Sequence, residues 1–296
     1  MSVHQSDSSE PIVSLPTRRP DIPALLPYQL AAIDIDDTLV GPDRIISAAN
    51  HAAIARIRSL GVTVILASGR SHANMAPFHR QLGLCAPMIS ANGSLVRKVD
   101  NGEIWAEHGL PTELVSELIQ RGRELGLSIL LYGLGGICVD RRTSYTAYDQ
   151  SRNDDPQILV GDLMELADTA VYKLFWMADP GIIASLTGPL TEEYAGRLTV
   201  TNTDPPYLEF MPPGVSKATG LAAVARRYGV DPAHVVAFGD GNNDAAMLQW
   251  AGNSFAMSHA RPSAKAAAQN VTPDGPVEDS LARAIQILLE QHDIHS

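Results

Sequence analysis

Three carboxylates, Asp34, Asp36 and Asp37, fall within four positions of the stretch "DIDDT", directly after the apolar residues Ala31, Ala32 and Ile33. Like charges this close oppose one another's ionisation, so the group requires a cation or must keep a proton. Side chains alternate along a strand, which predicts that Asp34 and Asp36 face one space while Asp37 points away into a turn or helix cap. Such a pair can gather a hard divalent cation, supply a nucleophile or move a proton.

Three further signatures follow in order. "ASGR" carries Ser68, Gly69 and Arg70 where a strand meets a helix; a hydroxyl and free backbone N–H groups there favour an anion. Lys217 follows "PPGVS" at the start of a helix, and "FGDGNND" carries Asp240, Asn243 and Asp244. Each has a plainer alternative: a turn, a helix cap or a surface lysine. Together they are complementary, with hard oxygen ligands for a Mg²⁺-like ion beside cationic and hydroxyl groups for an anion.

Other motifs fail on their spacing. An EF-hand loop from Asp240 requires Gly at 245 and Glu at 251, where the chain has Ala245 and Ala251; one from Asp34 requires Gly at 39 and meets Leu39. There is no G-x-x-x-x-G-K-[ST], G-x-G-x-x-G or H-E-x-x-H. His72, His79, His108, His234 and His259 are scattered and read as structural or surface residues, and Lys173 in "VYKLFW" reads as an ordinary strand lysine.

The elements that must position these groups are visible as hydrophobic periodicity. "QLAAIDID", "VTVILASG" and "PMISANG" read as buried strands, separated by helical "AANHAAIARIRSLG" and "NMAPFHRQLG". That β-α-β-α-β order predicts a parallel sheet covered on both faces. "SLVRKVDNGEIWAEHG" then reads as a hairpin around Asp100-Asn101-Gly102. "TELVSELIQRGRELG" is a helix with Thr112 as N-cap, and further strands and helices make an α+β segment. The parallel rhythm is expected to resume near Tyr207. The predicted fold class is α/β: a doubly wound, Rossmann-like parallel-sheet core over 28–94 and 207–296, with an inserted α+β domain over 95–206 and a loose N-terminal extension over 1–27.

With 45% hydrophobic residues among 296 the chain can bury a full core, and with 5% aromatics its packing should be aliphatic. A net charge of −11 argues against nucleic acid as a partner. Cys85 and Cys138 show no metal or redox spacing and are expected as buried thiols. No run of apolar residues is long enough to span a membrane, and no secretory signal pattern opens the chain, so a reducing, cytoplasmic setting is expected.

The four signatures resemble those of the haloacid dehalogenase superfamily of phosphohydrolases, and of its Cof-type branch in particular. "DIDDT" is similar to the first motif D-x-D-x-T, "ASGR" to the second, Lys217 to the third and "GDGNND" to the fourth; "SANGS" resembles the strand end leading into the Cof-type cap. Asp37 stands where this branch more often has Gly, and "VTPDGPVED" lacks the usual Asn-rich wording. The resemblance implies a Mg²⁺-dependent phosphatase of small phosphorylated metabolites, of the sugar-phosphate kind. Asp34 would be the nucleophile that becomes an aspartyl-phosphate, and Asp36 the general acid and base. Ser68, Gly69, Lys217 and Asn243 would bind phosphate. Asp34, Asp36 through its main-chain carbonyl, and Asp240 would hold the metal, with Asp244 acting through a water or by orienting Asp240. The inserted domain would be a mobile cap that selects substrate. A phosphotransferase or mutase would use the same motifs, and a non-catalytic phosphate-binding regulator is the alternative from another class. The physiological substrate and the oligomeric state are not encoded in these motifs.

Overall fold

The computed structural model describes residues 13–14, 26–152, 156–202 and 204–294. Its strands, in chain order, are β1 (Leu30–Ile33), β2 (Thr63–Leu66), β3 (Met88–Ser90), β4 (Leu95–Arg97), β5 (Ile104–Glu107), β6 (Ser128–Gly133), β7 (Gly136–Val139), β8 (Ile158–Leu159), β9 (Val171–Met177), β10 (Thr199–Thr201), β11 (Tyr207–Met211), β12 (Val235–Gly239), β13 (Asn253–Ala256) and β14 (Asn270–Val271). One sheet has the order β14-β13-β12-β1-β2 and is parallel throughout. A parallel bridge from Ala67 to Ile89 continues it toward β3. All four residues of β1 are buried, as a strand covered on both faces requires, which is why its sequence is continuously apolar rather than alternating.

The chain leaves β1 toward β2 on one side and returns later to β12 on the other. The carboxyl end of β1 is therefore the switch point of the sheet, where neighbouring connections part and leave a crevice. Asp34 is the first residue past that end.

The second large sheet has the order β10-β11-β9-β6-β7-β8, antiparallel except at β7–β8. One face, with Ile129, Leu131, Leu174, Trp176, Leu208 and Phe210, forms a core of its own with the helices Thr112–Glu124 and Pro180–Glu193. Its other face carries Tyr132, Phe175 and Tyr207.

Several expectations need correcting. Strand β11 does not reopen the parallel core at Tyr207; it pairs antiparallel with β9. The β4–β5 hairpin does form, but Val96 and Trp105 are buried in the hydrophobic core of the parallel sheet, with Trp105 edge-on to Tyr228. The passage between the two cores thus falls near Leu110 and Pro212 rather than at 95 and 206. Thr112 is the first helical residue, with Pro111 at the cap position. Cys85 is exposed and Cys138 half-buried, so neither is the buried thiol expected. The extension expected over 1–27 lies outside the described residues except at 13–14 and 26–27. There, Val13 donates its N–H to the Arg227 carbonyl (2.8 Å), and Leu26 is buried in the core.

Candidate active site

The carboxylates of "DIDDT" converge by a different route from the one alternation predicts. The strand ends at Ile33, and the chain winds back on itself, with the N–H groups of Leu39 and Val40 both donating to the carbonyl of buried Ile35 at 3.0 Å. Asp34 is buried, whereas the Asp36 side chain is about half exposed, and both line one cavity. Asp37 turns through the left-handed region (φ 56°), which Gly, Asn and Asp tolerate best. That conformation explains why Gly is an acceptable alternative at this position, and of the two expected roles, turn or helix cap, Asp37 takes the turn.

Behind Asp34 stands Lys217, the first residue of the helix Lys217–Tyr228. Ser216 and Thr219 form a reciprocal capping box there. A lysine at a helix N-terminus opposes the macrodipole, and this one is fully buried as well. Two carboxylates compensate: its Nζ donates to Asp34 Oδ1 at 2.5 Å and to Asp244 Oδ1 at 2.6 Å. The other Asp244 oxygen accepts the N–H groups of Asp240 (3.0 Å) and Gly241 (2.8 Å), so it shapes the loop after β12. Thr38 donates to Asp240 Oδ1 at 3.0 Å, which ties the two strand ends together.

Ser68 is buried; its Oγ accepts from the Arg70 N–H at 3.2 Å, while the cap of the following helix is Ser71 rather than Ser68. Arg70 reaches over to Asp36 through a two-pronged contact, Nε to Oδ2 at 2.9 Å and Nη2 to Oδ1 at 2.6 Å. Asn243 donates to Asn92 Oδ1 at 2.9 Å. Asn92 sits in a run of left-handed residues with Ala91 and Gly93. At Gly93, with φ 100°, an added Cβ would lie 2.0 Å from the Ser216 carbonyl oxygen. Only glycine lets this loop rest on the turn that presents Lys217. Of the expected residues, Asp34, Asp36, Ser68, Gly69, Asp240 and Asn243 line the cavity; Lys217 and Asp244 are buried beneath them.

Carboxylate oxygens of Asp34, Asp240 and Asp244 lie within 4.8 Å of one another. That is close to the roughly 4 Å spanned by two oxygens across an octahedral Mg²⁺ ion, and an all-oxygen donor set suits a hard divalent cation. The electrostatics agree. Burial first, and then the Asp244 charge, push Asp34 well above the usual carboxylate range against the pull of Lys217. The same two causes push Asp240 up to about 7. Lys217 moves the other way: burial lowers it, but the charges of Asp244 and Asp34 outweigh burial and raise it.

These shifts give a test. Without metal, Asp34 and Asp240 titrate higher in the folded protein than in the unfolded chain, so the folded state binds more protons. Their contribution to stability is then full below about pH 4 and is lost as the pH rises, for Asp240 through about 7. A divalent cation should therefore raise the thermal midpoint of chelator-treated protein more at pH 8 than at pH 5. Equal gains at both pH values would rule out carboxylate protonation as the competitor of the metal.

A cavity of about 650 Å³ separates this floor from the antiparallel sheet. Its roof includes Tyr132, Asp149, Arg152, Lys173, Tyr207 and Glu209, none of which the motifs single out as site residues. Lys173, expected as an ordinary strand lysine, is buried and ion-paired with Glu209 at 2.7 Å. The missed signal was alternation: Tyr207, Glu209 and Met211 share one side of their strand, as do Lys173 and Phe175.

Comparison with known proteins agrees with this architecture. A family described as haloacid dehalogenase-like hydrolase matches residues 31–285. The HMP-PP phosphatase of Cronobacter sakazakii is 27% identical over 245 residues, covering 79% of this chain and 85% of that protein. A Bacillus subtilis protein named 5-amino-6-(5-phospho-D-ribitylamino)uracil phosphatase is 26% identical over 264 residues, covering 88% and 97%. The crystal structure of a haloacid dehalogenase-like hydrolase from Bacteroides thetaiotaomicron superposes with a TM-score of 0.80 at 29% identity, covering 88% of this chain and 99% of the other.

Proposed function

This chain belongs to the haloacid dehalogenase-like hydrolase family, in its Cof-type branch, and from that premise we propose that it hydrolyses small phosphorylated metabolites with Mg²⁺ through a phosphorylated Asp34. It is a phosphoric monoester hydrolase. The observation that carries the finer reading is the meeting of Asp34, Lys217, Asp240 and Asp244 at the switch point of the sheet.

In this reading Asp34, Asp240 and the Asp36 main-chain carbonyl would hold the ion, with Asp244 orienting the Asp240 loop through its two backbone contacts. Bound there, Mg²⁺ supplies charge neutralisation between an anionic nucleophile and a phosphate dianion. Lys217 fixes the Asp34 carboxylate through Oδ1 and adds positive charge beneath the phosphoryl group. Ser68, the Gly69 N–H and Asn243 line the cavity beside it and grip the phosphoryl oxygens. A carboxylate oxygen of Asp34 attacks phosphorus, and the bond to the ester oxygen breaks. Asp36 gives a proton to the departing alkoxide. In the second half, Asp36 takes a proton from water as that water attacks phosphorus, and the Asp34–phosphorus bond breaks to release inorganic phosphate. The antiparallel-sheet unit, from about 110 to 212, serves as the cap that covers this chemistry and contacts the leaving group.

The test is phosphate release from a panel of monoesters. Release should require Mg²⁺, vanish with a chelator and return when the metal is restored. Failure to hydrolyse any ester, including p-nitrophenyl phosphate, would refute the reading.

A further inference from the structure

We propose that Lys173 and Glu209 form a donor–acceptor pair in the cap that recognises a vicinal diol on the alcohol part of the substrate, next to the phosphoester bond. This inference rests on the phosphatase reading above and assigns the part of the substrate that the floor does not touch.

The pair is anomalous as a structural feature. Both side chains are almost fully buried, at 4% and 6% exposure, yet both border the cavity. Burying an ion pair in a sheet face contributes little to stability compared with apolar residues of the same volume, because desolvation offsets the attraction. The neighbours on that face show what the apolar solution looks like: Phe175 and Tyr207 sit on the same strands as Lys173 and Glu209. Phe175 and Tyr207 border the same cavity, so the two charges are set among aromatic neighbours where a ligand would lie.

The pair is also held for use. Tyr132 lies directly opposite Lys173 in the register, and the ammonium stands over the rings of Phe175 (4.9 Å) and Tyr132 (5.9 Å), which stabilise a cation in place. The same Nζ lies 3.4 Å from the Gly69 carbonyl oxygen, across the cavity from its own sheet. Gly69 adjoins Ser68 in the proposed phosphate grip. Lys173 is therefore next to the phosphoryl position, where the carbons nearest the ester oxygen must pass. An ammonium has three donors. Glu209 and Gly69 engage two, and the third can turn to a ligand.

The chemistry of the ligand follows from charge and spacing. The roof carries Asp149, Asp204 and Glu209 against Arg152 and Lys173, three carboxylates to two cations. A second phosphate on the substrate would meet that excess of negative charge. A neutral group that both donates and accepts hydrogen bonds would not. Lys173 Nζ and Glu209 Oε2 are 2.7 Å apart, so a donor and an acceptor stand side by side within reach of hydroxyls on adjacent carbons. One hydroxyl accepts from Lys173 while the next donates to Glu209.

The experiment uses Mg²⁺-loaded protein and a matched pair of esters, sn-glycerol 3-phosphate with its vicinal diol and n-propyl phosphate without it. Propane-1,3-diol bisphosphate is the charged competitor, and the readout is the ratio of kcat/KM values. In wild type the diol ester should be preferred by roughly 10- to 100-fold, the scale of hydrogen bonds to a charged group. Lys173→Met and Glu209→Gln should each bring the ratio toward one. Because either single change leaves a buried charge without its partner, Lys173→Met/Glu209→Gln removes both charges and should show the same loss with a fold confirmed by thermal unfolding. Three results would overturn the proposal: a wild-type ratio near one, a ratio retained in the folded double variant, or a wild-type preference for the bisphosphate over the diol ester. The wild-type ratio decides the matter even if the variants do not fold. If p-nitrophenyl phosphate is hydrolysed but the diol is not preferred, this inference alone fails. If no ester is hydrolysed, the phosphatase reading fails and takes the inference with it.

Discussion

Asp34→Asn is expected to lower turnover by at least about 10⁴-fold, the scale of losing a covalent nucleophile, while leaving the protein folded. The amide has nearly the shape of the carboxylate but no charge to attack phosphorus with, and it is a poorer ligand for a hard cation. The structure separates this loss from simple unfolding. Lys217 is shared between Asp34 and Asp244, so the variant still offers it one buried carboxylate at 2.6 Å. Burial and the Asp244 charge also make the ionised form of Asp34 unfavourable in the folded state. Removing that charge should raise the metal-free thermal midpoint at pH 8 rather than lower it. Rapid acid quenching of a turnover mixture should capture a base-labile phosphoprotein with wild type and none with the variant. A variant that turns over at a comparable rate, or that still accumulates phosphoprotein, would end the covalent mechanism.

The core and its four signatures were legible because each depends on short-range pattern. A continuous apolar run such as Leu30–Ile33 can only be a buried strand or helix segment, and the polar cluster that follows marks its end. Lys217 could be placed because it follows the turn-type run "PPGVS" at the start of a helix. What stayed hidden depends on pairing between distant strands. Glu209 and Lys173 meet only because β11 lies against β9, and nothing local to "YLEFM" names its partner. Tyr207, Glu209 and Met211 share one side of that strand, and Glu209 alone breaks its apolar pattern. The hairpin at 95–107 is legible as a hairpin, but its allegiance is decided by Trp105 packing edge-on to Tyr228, a contact between residues far apart in the chain. Even the convergence of Asp34 and Asp36 was reached for the wrong local reason. A loop wound on the Ile35 carbonyl does what the pleat of a strand was expected to do.

Asp36→Asn is expected to slow catalysis by roughly 10²–10⁴-fold, the usual scale for a lost acid and base. The size of the defect should depend on the leaving group. Burial alone would raise the Asp36 carboxyl, but the hydrogen bonds and charge of Arg70 outweigh it and hold the group below the usual range. In this geometry Asp36 is a carboxylate, ready to act as the base toward water. To serve as the acid it must carry a proton while the ester bond breaks, and the two-pronged Arg70 contact opposes that state. The acid role matters most for alkyl esters, whose alkoxides leave poorly without a proton, and least for p-nitrophenyl phosphate. Single-turnover phosphorylation of Asp34 should accordingly be slowed far more by Asp36→Asn for an alkyl ester than for the aryl one. Dephosphorylation, which needs the base, should be slowed equally whichever ester delivered the phosphoryl group. Equal defects in the phosphorylation step for both esters would mean that another group protonates the leaving oxygen, and that Asp36 acts only on water.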